Sequence, residues 1–140
     1  MAALAADGLA VQARAPVITS RPVGPSLRTY ANSAVILTSQ LDPPALLARL
    51  QAIEQAFGRR RRGQAWSARV LDLDIVLWSG GCWTSPGLTL PHRQFRRRSF
   101  VLAPACAIAG TWRDPASGLT IRQLHARLTR PRPLPKPRHR

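Results

Sequence analysis

The chain has 140 residues, of which 45% are hydrophobic, so it is long enough and apolar enough to form one domain around one core. No apolar run approaches the roughly 20 residues that a membrane span requires, and residues 1–8 lack the basic segment that begins a secretion signal. Composition therefore argues against a disordered chain and an integral membrane protein, and we expect a cytoplasmic location.

The charge of the chain is strongly positive. Twenty-one basic residues, all arginine except Lys136, oppose six acidic ones, which gives a formal net charge of +15. Because such residues bind phosphates, a basic nucleic-acid-binding domain is one alternative. Three features argue against it: the acidic residues concentrate at one place, no predicted helix carries a basic stripe, and no known nucleic-acid-binding motif is present.

The first part of the chain predicts two strands. Residues 9–18 partly alternate between apolar and polar side chains and contain a proline, which is typical of an edge strand. Residues 21–26 are rich in proline and glycine and predict a loop. A second strand is predicted from about Tyr30 to Leu41, where β-branched residues are frequent.

A helix is predicted next. Asp42 suits the N-cap position and Pro43 suits the first helical position. Apolar residues then repeat at helical spacing until Gly58, and these are Leu46, Leu47, Leu50, Ile53 and Phe57.

The second half of the chain predicts shorter elements. In chain order they are a loop at 59–69, a strand at 70–77, a turn at 79–81, a strand at 100–102, a short helix or turn at 104–109, a final helix after Thr120, and an extended tail at 129–140. Thr120 and Gln123 have the spacing of a capping box that opens the final helix. The alternating prolines of the tail prevent a helix and remove donors for a sheet.

Two aspartates share one face of the predicted strand at 70–77. Successive side chains of a strand point to opposite faces, so Asp72 and Asp74 lie together, roughly 7 Å apart along the backbone. The other face is aliphatic and consists of Leu71, Leu73, Ile75 and Leu77. Two neighbouring carboxylates repel each other, and a hard cation bound to both removes that repulsion. The pair predicts a magnesium site facing a cleft. The alternatives are the polar face of a half-exposed strand, or aspartates that pair with some of the many arginines.

Basic and aromatic residues flank this pair. Arginines crowd residues 59–69, which also contain Trp66, and His92 and Arg98 follow the strand. Guanidinium and imidazole groups around a metal site suit a nucleoside triphosphate carried with its metal ions. Glycines beside the arginines would allow this segment to close over a nucleotide as a lid. The sequence contains no Walker motif, which excludes a P-loop kinase.

Four stretches of sequence together resemble one protein family. They are Gly58-Arg59 through Trp66, Arg69-Val70-Leu71-Asp72-Leu73-Asp74-Ile75, Leu88-Thr89-Leu90-Pro91-His92, and Arg98-Ser99-Phe100-Val101-Leu102. The family is that of the 6-hydroxymethyl-7,8-dihydropterin pyrophosphokinases of folate biosynthesis, and the likeness runs from about Val11 to about Leu128. It implies an α+β, ferredoxin-like fold with an antiparallel sheet and helices on both faces, in a domain at residues 1–128. A basic, proline-rich disordered tail would follow at residues 129–140.

The resemblance also implies an activity and a set of site residues. The activity is transfer of pyrophosphate from ATP to the hydroxymethyl pterin, which gives AMP and the pterin diphosphate. Two Mg²⁺ ions would be held by Asp72 and Asp74. Catalytic roles are implied for Arg61, Arg69, Asp72 and Asp74. ATP-binding roles are implied for Gln51, Glu54, Arg61, Trp66, Arg69, Ile75, Thr89, His92 and Arg98. Pterin-binding roles are implied for Pro22, Val23, Tyr30, Asn32, Trp66, Asp72 and Phe100. We expect a monomer that acts on these two small substrates, away from membranes and nucleic acid.

The sequence departs from the family in three places. Family members begin with a strand and a Gly-Ser-Asn turn before their first helix, whereas this chain starts inside that helix, so the first strand is expected to be missing from the sheet. Either translation starts upstream or this is an inactive form, and the intact site residues favour the first interpretation. Ser67-Ala68 replaces a common Gly-Pro, and Gly87 stands where an arginine can aid ATP binding.

Overall fold

The structure is a computed structural model that describes residues 9–20, 30–60 and 71–131. These ranges contain six strands, three α-helices and one 3₁₀ turn. The side chains of Ser20, Tyr30, Arg59 and Arg60 lie outside the description. The predicted loop at 21–26, most of the arginine-rich segment, and the tail after residue 131 also lie outside the described residues.

Two antiparallel ladders follow one another along a long hairpin. β1 (Ala10–Arg14) pairs with β4 (Val35–Thr38), and β2 (Ile18–Ser20) pairs with β3 (Tyr30–Asn32). Between the ladders, Ala15 N–H donates to Ala34 O and the Ser33 hydroxyl donates to Ala15 O, both at 2.8 Å. The two predicted strands are confirmed, although each is divided in two and the second ends three residues before Leu41.

α1 (Pro43–Arg60) begins where the capping residue predicts. Asp42 Oδ1 accepts a hydrogen bond of 2.9 Å from Ala45 N–H, which satisfies one of the unpaired amides of the first turn. The predicted end at Gly58 is wrong by two residues. Gly58 does not adopt the left-handed conformation that commonly ends a helix, so the helix continues through it.

Residues 71–77 do not form the strand that their alternating pattern predicts. A strand requires a ladder of backbone bonds with a neighbouring strand, and within the described ranges this segment has none. Instead, Leu73 N–H donates to the Glu54 carboxylate, and Val76 O accepts from His92 N–H. The predicted alternation of side chains is confirmed over residues 71–75, because Asp72 and Asp74 are exposed while Leu71, Leu73 and Ile75 are half-buried.

The C-terminal part of the described chain is a hairpin followed by two helices. Its elements are β5 (Trp83–Ser85), β6 (Leu88–Leu90), a 3₁₀ turn (Phe95–Arg97), α2 (Ser99–Ala109) and α3 (Ile121–Thr129). The predicted strand at 100–102 is wrong, because these residues form the first turn of α2; a short apolar run does not distinguish a strand from a buried helical turn. The capping box is confirmed: Thr120 Oγ1 accepts from Gln123 N–H at 3.1 Å, and Gln123 Oε1 accepts from Thr120 N–H at 2.9 Å.

Helices cover both faces of the long hairpin. Val35 and Leu37 of β4 pack against the apolar cluster of α1, whereas Ile36 packs against a second cluster around Phe95 and Leu102. The predicted α+β class, with antiparallel strands between helices, is therefore confirmed. The ferredoxin-like order of one continuous sheet stays a prediction, because the described strands form three two-stranded ladders. Each helix of the described ranges is too short or too polar to span a bilayer.

Gly80 lies against the ring of Trp78, and Gly80→Ala tests that contact. A Cβ atom at residue 80 would lie 2.4 Å from the Trp78 ring. The ring would have to leave its edge-on contact with Trp83, in which the ring centroids are 5.6 Å apart. We expect the free energy of unfolding to fall by about 1 to 2 kcal/mol, measured by urea denaturation followed by tryptophan fluorescence.

Gly58→Ala is the matched control. A Cβ at this helical position meets no atom within 4 Å, and alanine favours the helix by roughly 0.5–1 kcal/mol over glycine, so stability should rise. If both substitutions changed stability in the same direction, the Trp78 contact would not explain the effect at Gly80.

Candidate active site

The predicted site residues divide into those inside the described ranges and those outside them. Those outside are Pro22, Val23, Arg61, Trp66 and Arg69, and Tyr30 is described by its backbone alone. Those inside are Asn32, Gln51, Glu54, Asp72, Asp74, Ile75, Thr89, His92, Arg98 and Phe100. The roles given to the first group stay predictions.

Asp72 and Asp74 are exposed and free of protein cations in the described part of the chain. Neither carboxylate makes an ion pair or hydrogen bond with another described residue. Leu71, Leu73 and Ile75, which alternate with the aspartates, pack against the apolar cluster of α1, so both aspartates point away from that cluster. Their carboxylates are exposed to solvent.

The donor set suits a magnesium ion bound together with a ligand. Within the described ranges no group of three or more His, Cys, Asp or Glu side chains could hold a metal by itself. Magnesium is usually bound through one or two carboxylates, with water and substrate phosphates completing its shell. Two exposed aspartates fit that requirement.

Glu54 connects α1 to the aspartate segment. Its Oε1 accepts a hydrogen bond of 2.6 Å from Leu73 N–H, the amide between the two aspartates. Gln51, one turn earlier, is exposed, and Ile75 packs against the core of α1. The predicted roles of these three residues around ATP stay predictions.

The hydrogen bond of Glu54 gives a prediction that distinguishes its role as a hydrogen-bond acceptor from a role of its negative charge. If Glu54 acts by accepting from Leu73 N–H, Glu54→Gln should keep most activity because an amide oxygen also accepts. Glu54→Ala should lower both activity and the free energy of unfolding, the latter by about 1–3 kcal/mol, because the Leu73 amide loses its partner. Activity assays and urea denaturation of the two variants measure this, and equal losses in both variants would show that the charge of Glu54 matters instead.

His92 begins a turn that carries several predicted contacts. Its N–H donates to Val76 O at 2.9 Å, which attaches the turn to the end of the aspartate segment. Its Nδ1 accepts from Gln94 N–H at 3.2 Å, so the neutral ring carries its proton on Nε2 and presents a donor there. Nearby, Thr89 Oγ1 accepts a long hydrogen bond of 3.4 Å from Arg93.

Arg98 and Phe100 stand at the start of α2. Arg98 donates to Gln94 Oε1, and its guanidinium carbon lies 5.7 Å from the centroid of the Phe100 ring. The Phe100 side chain is 40% exposed, so an apolar ring faces solvent. α2 also packs against β3, the strand that contains Asn32. α2 therefore carries an arginine and an exposed aromatic ring at its start and packs against the strand that contains Asn32.

An ion pair that the sequence reasoning missed, between the partly exposed Arg96 and the buried Asp114, holds the turn after His92. Arg96 donates to both carboxylate oxygens of Asp114, from Nε at 2.5 Å and from Nη2 at 2.7 Å. Asp114 is completely buried, and it also accepts from the Ser117 hydroxyl at 2.7 Å and from Ala116 N–H at 3.0 Å. Among its neighbours, Arg96 contributes most to lowering the pKa of Asp114 from 3.8 to about 2, and the same bond raises the pKa of Arg96.

The sequence does contain a signal for this pair. Asp114 is one of only six acidic residues and begins the turn-forming stretch Asp114-Pro115-Ala116-Ser117-Gly118. What the sequence does not show is which of its many arginines is the partner.

Comparison with known proteins identifies the class of protein. The family model described as 7,8-dihydro-6-hydroxymethylpterin-pyrophosphokinase (HPPK) matches residues 1–110. The chain belongs to this family, which confirms the resemblance carried by the aspartate, histidine and arginine motifs.

Three curated relatives share the name 2-amino-4-hydroxy-6-hydroxymethyldihydropteridine pyrophosphokinase. The protein of Synechocystis sp. is 44% identical over 117 residues, which cover 84% of this chain and 60% of that protein. The protein of Methylorubrum extorquens is 35% identical over 125 residues, which cover 89% of this chain and 77% of that protein. The protein of Pseudomonas aeruginosa is 39% identical over 101 residues, which cover 71% of this chain and 62% of that protein. The chain thus spans about 60% of the length of the Synechocystis and Pseudomonas relatives.

Proposed function

We propose that this chain transfers the pyrophosphoryl group of ATP to 6-hydroxymethyl-7,8-dihydropterin, giving AMP and the pterin diphosphate. The observation that carries the proposal is the pair Asp72 and Asp74, exposed on one face and without a cationic partner in the described residues. The names of relatives at up to 44% identity support the same reaction.

Asp72 and Asp74 would hold magnesium, and we propose two ions. When bound, magnesium would neutralise charge on the triphosphate and align it with the pterin hydroxyl. The carboxylates have the hard oxygen donors that this ion prefers, and their exposure leaves room for phosphate oxygens and water.

The reaction is a displacement at the β-phosphorus of ATP. The hydroxymethyl oxygen of the pterin forms a bond to that phosphorus, the bond from the phosphorus to the oxygen bridging to the α-phosphate breaks, and AMP leaves with that oxygen. The hydroxyl proton is released. Because the protein is not covalently modified, its residues align the reactants and stabilise negative charge.

Four described residues are proposed to bind the ligands. The Nε2–H of His92 and the guanidinium of Arg98 would donate to phosphate oxygens. The exposed ring of Phe100 would stack on the flat pterin. Asn32 would bind the edge of the pterin ring through its amide.

The remaining predicted roles come from the family resemblance. Gln51, Glu54, Ile75 and Thr89 would lie around ATP. Among residues outside the described ranges, Arg61, Trp66 and Arg69 would bind ATP, while Pro22, Val23 and Trp66 would help to form the pterin pocket. Tyr30, described by its backbone alone, would complete that pocket. The proposed compartment is the cytoplasm and the proposed state is a monomer.

The test is AMP formation by the 140-residue chain incubated with ATP, Mg²⁺ and the hydroxymethyl pterin. We expect AMP and the pterin diphosphate in equal amounts, with neither product when Mg²⁺ or the pterin is omitted. Absence of both AMP formation and ATP binding would support the inactive form instead.

A filter-binding titration tests the nucleic-acid alternative. Tight, steeply salt-dependent binding that ATP and Mg²⁺ leave unchanged would favour that alternative. We expect weak binding that disappears as the salt concentration rises, because the basic residues outside the site act only through their charge.

A further inference from the structure

The Arg96–Asp114 pair lies within the turn that joins two proposed phosphate contacts. Phe95 N–H donates to His92 O at 3.4 Å, and Arg98 N–H donates to Phe95 O at 3.3 Å. His92 and Arg98 are therefore connected through one short run of backbone hydrogen bonds. A rotation of this turn would move both side chains.

The turn is anchored at several points. At its start, His92 N–H is bonded to Val76 O, and in its middle the Phe95 ring is 1% exposed and packs in the core. Arg96 extends the anchoring to the loop between α2 and α3 through its two hydrogen bonds to Asp114. These contacts oppose both translation and rotation of the turn.

Asp114 is itself held rigidly. Its N–H donates to Leu119 O and its carbonyl accepts from Gly118 N–H, both at 2.8 Å. Its two carboxylate oxygens also accept from Ser117 and Ala116. A carboxylate fixed in this way presents a defined plane, and the planar guanidinium of Arg96 must match it to form both bonds.

We propose that Asp114, acting through Arg96, is a positioning group that holds His92 and Arg98 where they bind the triphosphate of ATP; this rests on the function proposed above. Asp114 is not a catalytic residue in this proposal, since it is completely buried and would touch no substrate. Its effect on ATP is transmitted by the orientation of the turn.

Arg96→Lys tests the proposal, and Arg97→Lys is its matched control. Lysine keeps the positive charge near Asp114 but cannot form the two parallel bonds. Arg97 lies in the same 3₁₀ turn and is exposed, with no ion pair in the described part of the chain. We expect the KM for ATP to rise about tenfold in Arg96→Lys and to stay within about twofold in Arg97→Lys.

Two further measurements separate positioning from a loss of folded protein. A smaller folded fraction lowers kcat and leaves both KM values unchanged, whereas a displaced turn raises the KM for ATP and leaves that for the pterin unchanged. Hydrogen exchange should also become faster at residues 95–98 of Arg96→Lys while residues 43–58 of α1 keep their protection.

If Arg96→Lys does not fold, Ser117→Ala replaces it. That variant removes one hydrogen bond to Asp114 and keeps both bonds from Arg96, so we expect a rise of about threefold in the KM for ATP. An unchanged KM for ATP in a folded, active variant overturns this inference alone. Absence of AMP formation by the unsubstituted chain overturns the proposed function and this inference with it.

Discussion

Asp72→Asn and Asp74→Asn should each reduce AMP formation by on the order of a hundredfold or more, because each removes a charged oxygen donor for the proposed magnesium. Asparagine has nearly the shape of aspartate, so the packing of the neighbouring leucines should not change. Both aspartates are exposed, and the free energy of unfolding should therefore stay within about 0.5 kcal/mol of that of the unsubstituted chain. Initial rates at saturating pterin and varied Mg²⁺ measure the effect, which higher Mg²⁺ should partly reverse.

Asp42→Asn is the control for this pair. It removes one negative charge from the same chain but keeps an oxygen that can accept the cap hydrogen bond from Ala45 N–H. Its activity should match that of the unsubstituted chain. Full turnover by Asp72→Asn or Asp74→Asn would refute the metal assignment and leave a solvated polar face as the explanation of the pair.

Asp114→Asn should produce the largest loss of stability among the substitutions considered, about 3 kcal/mol. The buried carboxylate accepts from Arg96, Ser117 and Ala116, and an amide offers one oxygen where the carboxylate offers two. Arg96 would keep its charge beside a neutral group. Urea denaturation measures the loss, and Asp74→Asn, an exposed acid treated in the same way, should show almost none.

The same residue predicts a dependence of stability on pH. The Arg96 hydrogen bond lowers the pKa of Asp114 in the folded chain to about 2, whereas the unfolded carboxyl titrates near 3.8. A lowered pKa stabilises the fold above the unfolded value, and this contribution, about 2 kcal/mol, is lost as the pH falls from about 4 to 2. Between pH 6 and pH 3, the unsubstituted chain should lose more stability than Asp114→Asn, and equal losses would contradict this account.

Local sequence rules predicted the elements whose signals lie within a few residues. The cap at Asp42 and the capping box at Thr120 and Gln123 were both correct, because each depends on hydrogen bonds between residues three apart. The prediction that Asp72 and Asp74 share one face was also correct, because alternation of side chains follows from an extended backbone alone.

Two other predictions failed because they depended on distant partners. The alternating segment at 71–77 has no ladder among the described residues, and a ladder is set by a neighbouring strand. Residues 100–102 joined a helix because the whole stretch from Ser99 to Ala109 packs as one element against the hairpin and α3.

In the candidate site, too, the local motifs were predictable from the sequence, whereas contacts between distant residues were not. The motifs around Asp72, His92 and Arg98 identified the family, because reaction chemistry restricts residue type and spacing. They did not show that Glu54 bonds to Leu73 N–H. Contacts between residues about 20 positions apart depend on how α1 lies against the segment, which no local pattern specifies.

By itself, the sequence determined the family, the capped helices and the shared face of the two aspartates, since each depends on spacing along a short stretch of chain. Only the tertiary structure decided that Arg96, among so many arginines, pairs with the buried Asp114. A buried charge is stable only when it is paired, and its partner can be a residue far away in sequence that the fold brings close.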